Sequence, residues 1–170
     1  ADLVETAVAW NEAVKSKKIP TCLIFSRQGT SAISRTEDQL SLINKGGYLI
    51  DESDNSDITL IASGSEVQLI IDAAKELKNH SISANVVSMP SLDLFLQQSE
   101  EFQSSIINPD KPILVVECSH PNSWYRILNR KDKVIGIESF GESAPGSELL
   151  DHFGFNTENV VNSAKSLLND

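Results

Sequence analysis

Short, continuous apolar runs alternate with amphipathic helical segments along most of the chain, and this alternation limits its possible folds more than any other feature. Apolar runs that read as strands lie at Tyr48–Asp51, Ile58–Ala62, 84–89, 112–118 and 134–137. A strand that is apolar on both faces is typical of a parallel sheet covered by helices on each side. The pattern therefore predicts an α/β fold with three layers, α/β/α, around a five-stranded, mostly parallel sheet.

Helices are predicted between these strands and at both ends of the chain. The first has apolar residues spaced by three and four positions, which places them on one helical face: Leu3, Ala7, Trp10 and Val14. Four residues are predicted to cap helices at their N-termini: Asp2, Thr36, Ser65 and Thr157. Two of these stand three residues before a glutamine, the spacing of a capping box: Thr36 with Gln39, and Ser65 with Gln68.

The pattern of predicted strands and helices changes near residue 45, and we place a domain boundary there. Residues 1–45 contain a helix, a buried strand over 21–25 and a second helix, too little to bury a sheet edge. We interpret them as the end of a domain whose beginning lies upstream, and residues 46–170 as a complete unit. Because the chain starts with Ala1 and not with Met, its natural N-terminus is expected to lie further upstream.

Charge and cysteine content narrow the possible partners. The formal net charge is −10 and the pI about 4.7, which argues against nucleic acid and against an anionic membrane surface. No apolar run approaches the length that spans a bilayer. Cys22 and Cys118 lie in apolar runs and are predicted to be buried free thiols of a cytoplasmic protein, although a disulfide stays open. Two cysteines and three scattered histidines are too few for a metal site.

Arg27 is the candidate binding residue that the pattern favours most. It directly follows the predicted strand over 21–25, so its side chain would project from a rigid element. A guanidinium group can hold two phosphate oxygens at once. From the residues alone, a surface salt bridge is the slightly favoured explanation for Arg27.

The other chemically active residues carry weaker signals. Glu117 ends an apolar strand beside His120, at the edge of the sheet where ligands bind in open α/β folds, but a carboxylate that caps neighbouring N–H groups or bridges to another subunit is the favoured explanation. His80, His120 and His152 have no nucleophile elbow nearby and predict no hydrolytic triad. The turn over 63–65 has one glycine, so it predicts a tight turn rather than a phosphate loop.

Seven tracts together carry a resemblance that covers nearly the whole chain. They occur in one order and with one spacing: 7–10 (AVAW), 23–28 (LIFSRQ), 46–48 (GGY), 61–67 (IASGSEV), 86–91 (VVSMPS), 140–145 (FGESAP) and 153–155 (FGF). As an ordered set they are similar to the last quarter of the transketolase family, and of its bacterial type in particular.

The resemblance implies a fold and a function. Residues 1–45 would finish the pyrimidine-binding middle domain, and residues 46–170 would be the C-terminal domain, with a mixed sheet that has one antiparallel strand. Transketolases are homodimers that transfer a two-carbon ketol unit between sugar phosphates with thiamine diphosphate and Mg²⁺ or Ca²⁺. Arg27 occupies the place of the family's arginine that binds the substrate phosphate.

The resemblance also implies what this piece lacks. The family's acid–base glutamate and its diphosphate and metal sites lie upstream of Ala1, so we expect no catalytic, cofactor-binding or metal-binding residue here, no bound cofactor and no activity for the chain alone. Two alternatives stay open. One is the last domain of another thiamine diphosphate enzyme, such as a pyruvate dehydrogenase beta subunit or a deoxyxylulose phosphate synthase. The other is a non-catalytic binding or regulatory module with the same fold.

Overall fold

A mixed β-sheet organises the molecule, which we describe from a computed structural model covering residues 1–169. In this range five strands form one sheet in the order β1-β3-β2-β4-β5. The strands are β1 (Tyr48–Asp51), β2 (Ile58–Ala62), β3 (Ala84–Ser88), β4 (Ile113–Val116) and β5 (Lys133–Ile135). β2 pairs in parallel with β3 and with β4, and β4 pairs in parallel with β5. β1 pairs antiparallel with β3, so the expected mixed sheet is confirmed.

Helices cover both faces of this sheet. Within residues 1–169 there are seven α-helices: α1 (Leu3–Lys15), α2 (Glu37–Leu42), α3 (Glu66–Asn79), α4 (Leu92–Leu96), α5 (Glu100–Ile106), α6 (Gly146–His152) and α7 (Thr157–Asn169). Side chains of α3 and α7 pack on one face, and side chains of α4, α5 and a 3₁₀ helix over Pro121–Arg126 pack on the other. The predicted three-layer α/β/α architecture is therefore confirmed.

Two apolar cores lie on either side of the central strands because successive residues of a strand point to opposite faces. Leu60 and Val116 belong to the core under α3 and α7. Ile61 and Val115 belong to the core that contains Trp124. Every residue of β2 and β4 is buried, as expected of strands with a helix layer on both faces.

A glycine fixes the entry to the sheet. Gly46 ends a 3₁₀ helix over Ile43–Lys45 with a φ of 94°, a conformation that side chains other than glycine rarely adopt. A Cβ atom at this position would also collide with the backbone of Ser91 and Phe95. The chain therefore turns into β1 only because this residue has no side chain.

The strand predicted over 21–25 is absent from the described part of the chain. These residues form no hydrogen-bonded ladder, and the side chain of Ile24 is 90% exposed. The prediction was wrong because an apolar run becomes a strand only beside a pairing partner, and no described strand lies next to this one. Cys22 was predicted to be buried and is exposed for the same reason, whereas Cys118 is half-buried.

The first helix has the predicted period but not the expected burial. Asp2 caps α1 by accepting hydrogen bonds from the N–H groups of Val4 and Glu5. The predicted apolar face is largely in solvent, with Leu3 86% and Val14 69% exposed. Trp10 is partly covered because it stacks on Phe25, with ring centroids 6.3 Å apart.

Two of the four predicted caps differ from the structure. Thr36 and Gln39 form the expected capping box. Ser65 has helical backbone angles and makes no capping hydrogen bond, so the second box was wrong. At the last helix the cap is one residue earlier than predicted: Asn156 Oδ1 accepts the N–H of Asn159, and Thr157 is the first helical residue.

A buried polar network joins the first helix to the sheet. The side chain of Arg35 donates to Asp2 Oδ2 at 2.6 Å and to the hydroxyl of Tyr48 at 2.7 Å. The carboxylate of Glu5 accepts hydrogen bonds from Tyr48 at 2.7 Å and from Ser88 at 2.6 Å. Asp2, Glu5, Tyr48 and Ser88 are all buried, so the ions must be paired to be tolerated. This network fixes the N-terminal segment against β1 and β3.

Candidate functional site

The order in which the chain adds strands reverses between the parallel strands β2 and β4. The edge of the sheet at this point is the first candidate site. The connection from β2 runs through α3 to β3 on one side, while the connection from β4 leads to β5 on the other side. In open α/β sheets the carboxyl ends of two such strands diverge and leave a crevice where ligands bind. Ser63 directly follows β2, and Glu117 directly follows β4.

A short hydrogen bond joins the two loops of this crevice. The hydroxyl of Ser63 donates to Glu117 Oε2 at 2.6 Å. Burial raises the pKa of Glu117 above its ordinary value, and the nearby charge of Glu66 adds to this effect, while the hydrogen bond from Ser63 works against both. Glu117 thus accepts a hydrogen bond from a hydroxyl group. The sequence suggested instead that it would cap neighbouring N–H groups.

The N-terminus of α3 is occupied by its own side chains. Glu66 is buried, and its carboxylate accepts the hydroxyl of Ser65 at 2.6 Å and the N–H of Cys118 at 3.3 Å. Gly64 makes the preceding turn possible with a φ of 53°. The buried carboxylate of Glu66 beside this helix end opposes the binding of the phosphate group that such an end often attracts. The prediction of a tight turn here is in agreement with this geometry.

The crevice opens into a cleft between the sheet and the N-terminal segment. Its volume is about 410 Å³. One wall carries Ser63, Glu117 and Trp124 from the sheet side, and the opposite wall carries Glu5 and Phe25. Hydrogen bonds from Tyr48 and Ser88 hold Glu5, and with it the wall formed by the N-terminal segment, against the sheet.

Arg27 lies outside this cleft. It sits in an exposed bend, and no salt bridge among the described residues involves it. The surface salt bridge that the residues alone slightly favoured for Arg27 is therefore not formed within this range. A role of Arg27 in binding phosphate stays a prediction.

The residue next to Arg27 connects two parts of the molecule. The side-chain amide of Gln28 packs against Gly146, so closely that a Cβ atom there would lie 2.7 Å from Gln28 Nε2. Gln28 also lines a second cleft of about 280 Å³ with Cys118 and Glu142, the latter in the loop over 140–145. The bend that carries Arg27 thus rests on the start of α6.

The histidines do not assemble a catalytic group. His80, His120 and His152 are all exposed. His120 Nδ1 accepts the N–H of Asn122, so it is turned towards its own loop rather than towards Glu117.

The two aromatic residues of the 3₁₀ helix and the loop over 140–145 have different environments. Trp124 is buried in the core, whereas Tyr125 is 57% exposed. The loop precedes α6 without regular structure, and its Phe140 is 98% exposed.

Residues 1–169 contain neither a cluster of metal ligands nor a helix that could span a membrane. No group of three or more His, Cys, Asp and Glu side chains is placed to hold a metal ion in that range. Among the helices that the structure describes, none combines the length and the apolar character needed to cross a membrane.

Comparison with known families gives one match to most of the chain. The model of the transketolase-like C-terminal domain matches residues 46–156. The match begins at the glycine pair where the sequence pattern divides.

Individual relatives match nearly the full chain. Transketolase 1 of Vibrio parahaemolyticus is 43% identical over 98% of this chain, which spans 26% of the length of that protein. The structure of transketolase from Leishmania mexicana superposes with a TM-score of 0.92 at 32% identity, covering 99% of this chain and 24% of that one. A transketolase structure from Pichia stipitis, in complex with sedoheptulose 7-phosphate, gives a TM-score of 0.89 at 34% identity with the same two coverages. The chain thus spans about a quarter of the length of these proteins and matches their C-terminal portion.

Proposed function

Because this chain belongs to the transketolase family, we propose that it forms the C-terminal part of an enzyme that moves a two-carbon ketol unit from a ketose phosphate to an aldose phosphate. The observation that carries the proposal is the identity of 43% over 98% of the chain to a curated transketolase. The solved complex of a relative with sedoheptulose 7-phosphate supports sugar phosphates as the substrate class.

Arg27 is the substrate-binding residue of this proposal. Its side chain is exposed and lacks an acidic partner within residues 1–169, so its charge is available to a ligand. A guanidinium group pairs with phosphate oxygens through two parallel hydrogen bonds. The phosphate of the substrate is remote from the carbon that reacts, so this contact contributes to binding more than to the chemical step.

The cofactors belong to the part of the enzyme outside this chain. Thiamine diphosphate would supply the carbanion chemistry in the intact enzyme, with Mg²⁺ or Ca²⁺ at its diphosphate. The described residues do not fit either group, since no set of metal ligands and no cationic diphosphate cradle is formed by them.

The proposal extends to domains, assembly and location. Residues 1–45 would complete the pyrimidine-binding domain, and residues 46–170 would form the C-terminal domain of a homodimer. The buried network between Arg35 and β1 supports a fixed contact between these two parts. We place the enzyme in the pentose phosphate pathway of the cytoplasm, which is compatible with two cysteines that form no disulfide in the described structure.

The test is Arg27→Ala in the full-length enzyme that contains this chain. We expect KM for phosphorylated ketose donors to rise more than tenfold with a smaller change in kcat, because a charge-assisted hydrogen bond contributes about 1.5–3 kcal/mol. Steady-state kinetics with a phosphorylated and an unphosphorylated donor measure this, and KM for the unphosphorylated donor should stay nearly constant.

A matched control is Arg130→Ala, since Arg130 is also an exposed arginine with no salt bridge to the described residues. It should leave both KM values unchanged. If Arg27→Ala also left KM for phosphorylated donors unchanged, the assignment of Arg27 would be wrong.

A further inference from the structure

The bend that carries Arg27 contacts the start of α6 through the neighbouring residue, Gln28. We propose that Gln28 is a positioning residue, which packs on Gly146 and thereby holds Arg27 where the phosphate of the substrate binds. The inference rests on the proposed function, because it takes Arg27 as the residue that binds this phosphate.

The bend itself is held weakly. The hydroxyl of Ser26 donates to the carbonyl of Gln28 at 3.3 Å, so this hydrogen bond closes the chain around Arg27. Ser26, Arg27 and Gln28 are all exposed. A single long hydrogen bond in contact with water contributes little to stability. The orientation of the bend therefore depends on the surface against which Gln28 packs.

Gly146 shows how close this packing is. Beyond the local backbone, the three atoms nearest to a Cβ placed on Gly146 all belong to Gln28: Nε2 at 2.7 Å, Cδ at 3.5 Å and Cγ at 3.7 Å. The φ of Gly146 is not positive, so its backbone conformation does not require a glycine. The missing side chain at residue 146 therefore serves the approach of Gln28.

The surface under Gln28 is joined firmly to the sheet. The carbonyl of Pro145 accepts the N–H of Leu149 at 3.1 Å, which closes the first turn of α6. Beyond the end of this helix, the N–H of Phe155 donates to the carbonyl of Leu150 at 2.7 Å, and Phe155 is buried in the core under α3 and α7. Gln28 thus rests on a backbone whose position is set by the core.

The contact joins two parts of the chain that also lie together in a longer relative. The superposition on the transketolase from Leishmania mexicana includes nearly all of this chain, and so both the N-terminal segment and the region around α6. We therefore expect the bend to rest on α6 in the full-length enzyme as well.

The position of Arg27 matters because a guanidinium group binds phosphate through two parallel hydrogen bonds of defined geometry. A side chain that is free to move must be ordered when the ligand binds, and this ordering lowers affinity. No acidic side chain within residues 1–169 forms a salt bridge that could hold Arg27. Gln28 supplies the restraint through the backbone instead.

Steady-state kinetics on the full-length enzyme test the proposal with Gln28→Ala and Gly146→Ala. The first variant removes the side chain that packs on α6. The second displaces the end of this side chain, at little cost in stability because the end of a glutamine can move. Each should raise KM for a phosphorylated ketose donor about three- to tenfold, change kcat less than about twofold and leave KM for an unphosphorylated donor unchanged.

Two substitutions serve as matched controls. Gln97→Ala removes another exposed glutamine, whose side chain makes no hydrogen bond to the described residues. Gly141→Ala adds a Cβ that meets no atom within 4 Å, in the loop that leads to α6. Both should leave the kinetic constants unchanged. Circular dichroism and thermal melting show whether each variant is folded.

Combined variants separate positioning from a direct contact with the substrate. Arg27→Ala removes the group that Gln28 positions, so adding Gln28→Ala should raise KM no further. Gly146→Ala should likewise add nothing to Gln28→Ala, because the atoms that its Cβ meets are then gone. A full effect of Gln28→Ala in the absence of Arg27 would overturn the proposal, and so would an unchanged KM for the phosphorylated donor in either folded single variant.

Failure of this inference and failure of the assignment of Arg27 give different results. If Arg27→Ala leaves KM for the phosphorylated donor unchanged, Arg27 does not bind the phosphate and both are wrong. If Arg27→Ala raises this KM while the variants of Gln28 and Gly146 do not, only the positioning by Gln28 is wrong.

Discussion

At the scale of single residues, the hydroxyl of Tyr48 is bound from two sides inside the buried network. Arg35 donates to it, and it donates in turn to Glu5, both at 2.7 Å, while the residue itself is fully buried. Tyr48→Phe keeps the ring and removes both hydrogen bonds, which leaves buried charged groups short of a partner. We expect a loss of about 1–3 kcal/mol in the free energy of unfolding, measured by urea denaturation.

Tyr125→Phe is the control for this prediction. Tyr125 is 57% exposed, and its hydroxyl makes no hydrogen bond within residues 1–169, so its removal should change stability by less than about 0.5 kcal/mol. Equal effects of the two substitutions would show that the network contributes no net stability.

Glu117 gives a pH dependence with a defined sign. Its pKa in the folded state is raised above the ordinary value of 4.5 by burial first and by the charge of Glu66 second. A carboxyl group with a raised folded pKa destabilises the protein in its ionised form, so the penalty is absent below 4.5 and develops as the pH rises through the folded pKa. Glu117→Gln should therefore gain stability relative to the unchanged chain between pH 4 and pH 7.

Denaturation curves at several pH values measure this difference. Glu138→Gln, at an exposed position, shares the charge change without the burial and serves as the comparison. We expect the stability gained by Glu117→Gln to grow as the pH rises. If it fell instead, the raised pKa of Glu117 would be contradicted.

The candidate site could be foreseen only in part at this scale. Glu117 was singled out because it follows an apolar strand, a signal that is local in the sequence. Its partner Ser63 was seen only as part of a turn, since 54 positions separate the two residues and neighbouring strands bring them together. The pairing of Asp2 and Glu5 with Arg35 was missed for a similar reason: acidic residues in the first turn of a helix are typical of a solvent-exposed helix start.

At the scale of elements, the N-cap of α7 is Asn156 in the structure, whereas the sequence predicted Thr157. Asn156 Oδ1 accepts the N–H of Asn159 at 2.9 Å, and its side-chain amide donates to Asp151 at 2.7 Å. Asn156→Ala should cost about 1 kcal/mol in the free energy of unfolding, the typical value of an N-cap. Thr157→Ala, at the position predicted from sequence, should cost less than about 0.5 kcal/mol, and the reverse order in urea denaturation would restore the original assignment.

Whether an apolar run becomes a strand depends on its neighbours. The run over Ile58–Ala62 was predicted correctly, and in the structure it pairs on both sides, with β3 and with β4. The run over 21–25 has a similar composition but no pairing partner among the described residues, and it stays irregular and exposed. Composition and period therefore predicted the central strands, and they could not predict a segment whose structure depends on pairing outside the run.

At the scale of the whole molecule, a few buried ions join the first 45 residues to the sheet. Much of the first helix is exposed, including Leu3 and Val14, so apolar contacts alone hold it weakly. Arg35 bridges Asp2 to Tyr48 in this contact with a side chain that is 1% exposed. The burial makes the pairing obligatory, because an unpaired buried charge costs several kcal/mol.

Arg35→Ala should release the N-terminal segment and leave the sheet folded. Asp2 and Glu5 would lose their guanidinium partner in a buried site, at a cost of about 3–5 kcal/mol to the local contact. Hydrogen exchange followed by mass spectrometry should then show faster exchange in α1 and unchanged protection in β2, β3 and β4. Arg126→Ala is the matched control, since Arg126 also binds an aspartate at 2.6 Å but with 54% of its side chain exposed, and it should change neither region. Protection of α1 that survives Arg35→Ala would mean that apolar packing, and not the buried ions, joins the two parts of this chain.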